Sequence, residues 1–153
     1  MTTPTAAEAR VSLIINAPSE EIFNAFIEPK QLVRFWLASS NGKLAIGKSV
    51  HWEFKVPGAT VETTATKLRL GQAILWKWSD GTTVNIELEE LDKGTAVNII
   101  NSGFRGSPAQ KVQSALNATE GFSFVLADLK TLLESGKSSH IVRDKALLIE
   151  LQN

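Results

Sequence analysis

The C-terminal part of the sequence contains the stretch Gly121-Phe-Ser-Phe-Val-Leu-Ala-Asp-Leu-Lys-Thr-Leu-Leu-Glu134. Its large apolar residues recur at intervals of three and four, which places them on one face of an α-helix. The spacing extends back to Pro108, and Gly136 is a typical C-terminal stop. We therefore predict an amphipathic helix of about seven turns. Its apolar stripe comprises Val112, Leu116, Phe122, Val125, Leu126, Leu129, Leu132 and Leu133.

Alternating apolar and polar residues upstream of this helix predict a series of β-strands. The first strand covers residues 9–16. Five more follow between residues 48 and 100, and the weakest of them is the Thr- and Val-rich segment 59–69. The turns between these five lie at Pro57-Gly58, Leu70-Gly71, Asp80-Gly81 and Asp92-Lys93-Gly94. Links this short allow only antiparallel pairing, so the strands form a meander.

Two short helices are predicted between the first strand and the meander. Ser19 is the expected N-cap of the first, because two acidic residues and an apolar helical pattern follow it. Pro29 breaks that helix and suits the first turn of the second. The second helix is expected to carry Leu32, Val33, Phe35, Trp36 and Leu37, and residues 38–48 are expected to form a loop.

These elements predict an α+β fold with one domain over residues 9–136. An antiparallel sheet of about six to seven strands must cover its apolar face, and the long C-terminal helix is the natural cover. Residues 1–8 are interpreted as an N-terminal tail. Residues 137–153 form a C-terminal extension in which the apolar cluster at 146–149 favours a helix over a strand.

Composition narrows the classes of function. The 153 residues include sixteen basic and sixteen acidic side chains and no cysteine. A balanced charge gives no field to steer the protein onto nucleic acid or an anionic membrane, and no apolar run is long enough to span a bilayer. Without cysteine there are no disulfides and no thiolate zinc ligands. The polar N-terminus does not resemble a signal peptide, so we expect a cytoplasmic protein with neither nucleic acid nor membrane as partner.

Several phrases resemble the helix-grip fold of the SRPBCC (START-like, birch-pollen-allergen-like) superfamily, and within it proteins like the activator of heat shock protein 90 ATPase. They are Ile15-Asn-Ala-Pro-Ser-Glu-Glu-Ile-Phe-Asn-Ala-Phe26, then Pro29, Leu32 and Phe35-Trp36, and the stretch 121–134 quoted above. The resemblance implies a sheet curved around the long helix with a hydrophobic cavity between them. It implies no particular reaction. The subfamily's link to chaperones implies a stress-response role and a chaperone contact.

Aromatic residues are the main candidates for lining such a cavity, because ligand pockets are mostly apolar with a few polar groups that orient the ligand. Packing in the core is the alternative for each of them. The candidates are Trp36, Trp52, Phe54, Trp76, Trp78, Phe104, Phe122 and Val125. Arg34 and Arg105 are the polar candidates, with a solvated helix surface and a plain connecting loop as their respective alternatives. His51 alternates with Trp52 and is expected to point away from the cavity.

Groups for catalysis and for cofactors are scarce in this sequence. Its two histidines show no metal-ligand spacing, and its strand glutamates occupy positions typical of a solvent-facing sheet, so we predict no metal, no cofactor and no catalytic residue. The leading hypothesis is therefore non-catalytic binding or sequestration of a small hydrophobic molecule. The alternatives are a chaperone-associated interaction module and an enzyme that acts on an aromatic or polyketide-like substrate. The sequence does not decide whether the protein forms a homodimer, which would pair through the exposed sheet face or the C-terminal extension.

Overall fold

The computed structural model describes residues 7–153, and the predicted tail at 1–8 lies outside that range except for its last two residues. Seven antiparallel strands form one sheet in the order β1-β7-β6-β5-β4-β3-β2. The α+β helix-grip class is thereby confirmed. The elements are β1 (Ala9–Ile15), α1 (Ser19–Ile27), α2 (Pro29–Phe35), β2 (Leu37–Ser40), β3 (Ser49–Phe54), β4 (Thr60–Arg69), β5 (Ala73–Trp78), β6 (Thr83–Leu91), β7 (Gly94–Ser102), α3 (Pro108–Ser135) and α4 (Ile141–Gln152).

The long helix α3 begins and ends at strong local signals. Ser107 caps its N-terminus, because the Ser107 hydroxyl accepts from the backbone N–H of Gln110 while the Gln110 side chain accepts from the backbone N–H of Ser107. Gly136 ends the helix in the left-handed conformation, at a φ of 81°. The C-terminal half of its apolar stripe is buried in the main core. Val112 and Leu116 are exposed, so the predicted stripe is continuous in sequence but its N-terminal part does not pack on the sheet.

Two predictions for the N-terminal helices were wrong. Pro18, not Ser19, is the N-cap of α1, and the buried Ser19 hydroxyl donates instead to Glu90 Oε1 at 2.9 Å. Helix α2 ends at Phe35, and Leu37 opens a strand that pairs antiparallel with β3. Trp36 is therefore the C-cap residue of α2, between a helix and a strand.

The C-terminal extension forms a helix, α4, in agreement with the prediction. It packs against α3 and is anchored by Asp128, which is fully buried on α3. The Asp128 carboxylate accepts from the backbone N–H of Val142 at 3.2 Å and from the Ser138 hydroxyl at 2.7 Å. An acceptor with negative charge at a helix N-terminus satisfies an otherwise free N–H and complements the helix dipole.

The main core lies between the inner face of the sheet and the helices α1, α2 and α3. Register shifts in β2 and in β4, at Ala65–Lys67, mark irregular positions of the kind that bend strands. Within residues 7–153 the structure contains no helix long and apolar enough to cross a membrane.

Candidate functional site: an apolar pocket beside a tryptophan cluster

All four tryptophans of the chain lie in one cluster on the inner face of the sheet. Trp52 on β3 and Trp76 and Trp78 on β5 point inward because alternate strand residues share a face. Trp36 reaches them from the end of α2. Ring centroids lie 5.3 Å apart for Trp36 and Trp52, 5.2 Å for Trp52 and Trp76, and 5.8 Å for Trp76 and Trp78, the range of favourable aromatic pairs.

An apolar pocket of about 330 Å³ opens beside this cluster. One wall comes from the tryptophans and the β3–β4 turn, a second from α3 and a third from α4. Phe122 on α3 lies nearly parallel to Trp78, with centroids 6.0 Å apart and planes 13° apart. The lining residues are Trp36, Phe54, Lys55, Val56, Ala59, Trp78, Asn101, Ala118, Gly121, Phe122, Phe124, Val125, Val142, Lys145, Ala146 and Ile149.

The structure divides the predicted apolar candidates into two groups. Trp36, Phe54, Trp78, Phe122 and Val125 line the pocket, whereas Trp52, Trp76 and Phe104 do not. Trp52 and Trp76 have no exposed surface. Trp36 contacts both of these rings and itself faces the pocket, so it covers them as an outer layer.

The polar candidates Arg34 and Arg105 lie elsewhere. Arg34 is exposed on α2 and donates to Gln31 Oε1 at 2.9 Å. Arg105 is exposed, and its guanidinium lies against Gly81. Gly81 has a φ of +92°, and a Cβ there would come within 2.6 Å of Arg105 Nη2, so this turn requires glycine. Neither arginine lines the apolar pocket.

His51 points to the outer face of the sheet, away from the pocket. Its Nδ1 lies 2.6 Å from Glu62 Oε1, and its Nε2 lies 3.7 Å from Glu53 Oε1. The hydrogen bond to Glu62 raises the pKa of the imidazole above its ordinary value. The histidine is part of a surface charge cluster.

The sequence interpretation missed the polar members of the pocket and the whole wall contributed by α4. Lys55 follows Phe54 in the β3–β4 turn, and Lys145 lies on α4. Asn101 contributes a buried amide that donates to Thr83 O at 2.9 Å. The apolar cluster at 146–149 was the only sequence signal for the α4 wall, and nothing in the sequence showed what it would face.

Unpaired polar atoms lie within the tryptophan cluster. The indole N–H groups of Trp52, Trp76 and Trp78 are buried without a hydrogen-bond partner among the described residues. The hydroxyl of Thr63 is also unpaired there, and Thr63 lies opposite Trp78 in the pairing of β4 with β5. A buried donor without an acceptor costs about 1–3 kcal/mol. The inner part of the site therefore presents hydrogen-bond donors that no protein acceptor uses.

In the described part of the chain, no group of three His, Asp or Glu side chains could hold a metal ion. Asp and Glu are absent from the pocket lining as well, and so is His. The site is an apolar, aromatic pocket with two amines and one amide.

Residues 16–134 match the model of the Activator of Hsp90 ATPase homolog 1-like protein family. The chain belongs to this family. The match begins after β1 and covers α1, α2, the six strands β2 to β7 and nearly all of α3, and it stops before α4. None of the curated proteins shows a significant sequence match to the chain.

Solved structures show the same fold as this family member. Protein SSP2350 from Staphylococcus saprophyticus is 26% identical with a TM-score of 0.75, over 86% of this chain and 94% of that one. The Aha1 dimer from Colwellia psychrerythraea is 21% identical with a TM-score of 0.76, over 86% and 98%. DynU16, from the dynemicin biosynthetic locus, is 20% identical with a TM-score of 0.75, over 88% of this chain and 50% of that one.

Proposed function

We propose that the protein binds a small hydrophobic molecule in the pocket between the tryptophan cluster, α3 and α4, and does so without chemical conversion. The observation that carries the proposal is the pocket itself. At about 330 Å³ it falls within the 300–1,000 Å³ that small-molecule sites occupy. Aromatic rings from β3, β5, α3 and the end of α2 contribute to its surface. Gly121 also lines the pocket, and a Cβ at that position would contact nothing within 4 Å.

The polar groups of the pocket support binding over catalysis. General acid–base chemistry needs a titratable donor and acceptor within reach of the substrate. The titratable residues of the lining are two lysines, and neither has a carboxylate or histidine beside it in the lining. Lys145 has a carboxylate partner in Glu120, but Glu120 does not line the pocket, so the lining offers amines that can orient a ligand and no acid–base pair that faces it.

A side chain grown into the pocket tests the proposal. Gly121→Leu places four carbon atoms in the open space, and leucine favours helix over glycine by up to about 1 kcal/mol, so we expect the fold to persist. We expect decanol, a neutral apolar probe, to bind the unmodified protein and to lose at least about tenfold affinity in the variant, a change of about 1.4 kcal/mol. Isothermal titration calorimetry measures both affinities.

Ser123→Leu is the matched control. Ser123 is exposed on the same helix, two residues along, and does not line the pocket. We expect this variant to bind decanol as the unmodified protein does. Equal affinity of Gly121→Leu and Ser123→Leu for decanol would place binding elsewhere. Native mass spectrometry of the purified protein adds a search for a molecule that copurifies.

A further inference from the structure

The charge of the pocket has one sign. Its lining contains two charged residues, Lys55 and Lys145, and both are cationic. The other lining residues are apolar apart from Asn101. An apolar pocket with positive charge and no acidic residue in its wall attracts a ligand that carries negative charge.

The two lysines differ in their partners. Lys145 Nζ forms an ion pair with Glu120 Oε1 at 2.8 Å. Lys55 Nζ has no carboxylate oxygen within 4.0 Å among residues 7–153. The charge of Asp128 on α3 favours the ammonium form of Lys55, but both carboxylate oxygens of Asp128 already accept hydrogen bonds, from Ser138 and Val142. Lys55 is therefore the cation of the pocket that has room for an anionic partner.

The surroundings of Lys55 make a free ammonium costly. Burial lowers the pKa of Lys55, Asp128 opposes this shift, and the positive charge of Arg143 on α4 reinforces it. An ammonium group that has lost water gains more from an ion pair than an exposed one does. Charge-assisted hydrogen bonds of this type are the strong ones in proteins.

We propose that the ligand is an apolar molecule with one carboxylate, that this carboxylate pairs with Lys55, and that the apolar body lies against Trp78 and Phe122. The inference rests on the proposed binding function and adds the chemical class of the ligand. One unpaired cation matches one negative charge. A phosphate monoester carries about two charges near neutral pH, and its second charge would lie in the apolar pocket without a partner, which is costly.

Two probes with the same apolar chain test the charge. We expect decanoate to bind about tenfold more tightly than decanol in isothermal titration calorimetry at neutral pH. In Lys55→Gln, which removes the charge, we expect that advantage to disappear because decanoate binds more weakly, whereas decanol still binds. Decanol thus reports whether the pocket is intact in the variant. Lys77→Gln is the control, because Lys77 is an exposed lysine whose loss changes the net charge equally and which does not line the pocket.

The outcomes separate the two proposals. If neither probe binds, the binding function fails and this inference fails with it. If decanol binds as tightly as decanoate, the pocket binds apolar molecules and the assignment of a carboxylate ligand is overturned. If Lys55→Gln keeps the preference for decanoate, only the assignment of Lys55 is overturned. Decyl phosphate forms the third arm, and a tighter complex than that of decanoate would overturn the choice of a carboxylate.

The pH dependence gives an independent measurement. The charge of the decanoate carboxylate is constant at neutral and alkaline pH, so its affinity follows the charge of the protein. We expect that affinity to fall as pH rises through the pKa of Lys55, which lies below the ordinary lysine value of 10.5. Lys145, Glu120, Asp128 and Arg143 are the other charged groups near this position. In Lys55→Gln the fall should be absent, and a fall of equal size would show that it does not arise from Lys55 and would contradict the proposal.

Discussion

At the scale of single residues, the unpaired hydroxyl of Thr63 is the most informative atom of the inner site. Thr63 is fully buried in β4, opposite Trp78 of β5, and its hydroxyl has no hydrogen-bond partner among the described residues. Valine has nearly the same shape as threonine and removes the unpaired hydroxyl. We expect Thr63→Val to raise the free energy of unfolding of the ligand-free protein by about 1–2 kcal/mol in urea titrations.

Thr95 supplies the matched control for that substitution. Thr95 is equally buried, but its hydroxyl donates to the backbone carbonyl of Ala17 at 2.8 Å. Thr95→Val should therefore lower the free energy of unfolding by about 1 kcal/mol. A similar loss for Thr63→Val would contradict the prediction and show that the Thr63 hydroxyl has a partner such as a buried water.

A second prediction for a single residue concerns His51 on the outer sheet face. Its hydrogen bond to Glu62 favours the charged imidazolium and raises its pKa above the ordinary value of 6.5. A raised folded-state pKa adds stability that is complete below about pH 6.5 and is lost as pH rises through the folded-state value. NMR titration of the His51 ring should give a midpoint above 6.5.

Two substitutions test the cause of that shift. Glu62→Gln should move the His51 midpoint down towards 6.5, because it removes the largest contribution. Glu53→Gln should move it less, since Glu53 lies 3.7 Å from the ring and contributes less. An unchanged midpoint in Glu62→Gln would disprove the assignment.

At the scale of elements, the attachment of α4 decides whether the pocket has its third wall. Asp128 holds the N-terminus of α4 through Val142 and Ser138, and α4 contributes Val142, Lys145, Ala146 and Ile149 to the lining. The family match ends at residue 134, so this wall lies outside the segment that the family model covers.

Removal of the Asp128 carboxylate should loosen this wall. We expect Asp128→Ala to lower the free energy of unfolding by about 2–3 kcal/mol, because the hydrogen bonds from Ser138 and Val142 are lost and the partly buried N–H of Val142 is left without a partner. Hydrogen exchange of the amides of 141–152 should become faster. Asp128→Asn keeps an acceptor oxygen and should lose less.

Asp144→Ala is the control for that experiment. Asp144 is exposed in the first turn of α4 and contributes mainly to the helix dipole interaction, so its loss should cost about 0.3–1 kcal/mol. If Asp128→Ala costs no more than Asp144→Ala and leaves exchange in α4 unchanged, Asp128 does not anchor the helix.

At the scale of the whole molecule, repeated patterns were predictable and single contacts were not. The alternation of Val50, Trp52 and Phe54 and the spacing of the α3 stripe hold for many residues, so they predict strands, a helix and their pairing. β2 is four residues long and has only Leu37 as a large apolar residue, too short for an alternating pattern. It forms because β3 offers a free edge.

The site was predictable only where it follows such a pattern. Trp78 and Phe122 belong to periodic faces, and both line the pocket. Lys55 lies in a turn, where the alternation that assigns a side chain to a face has stopped. Trp52 and Trp78 look equivalent in sequence and both contact Trp36, yet only Trp78 lines the pocket. The domain boundary at residue 136 and a possible homodimer, both inferred from the sequence, stay predictions.

The tryptophan cluster gives the protein an optical reporter of its own. All four tryptophans adjoin a single site and the chain contains no tyrosine, so its near-ultraviolet absorption and its intrinsic fluorescence arise almost wholly from that place. No indole on a distant surface adds a constant background. A molecule that enters the pocket touches Trp36 and Trp78 directly, and excitation can pass among the four closely spaced rings. Occupancy of the pocket can therefore be followed by emission colour and intensity, without any label.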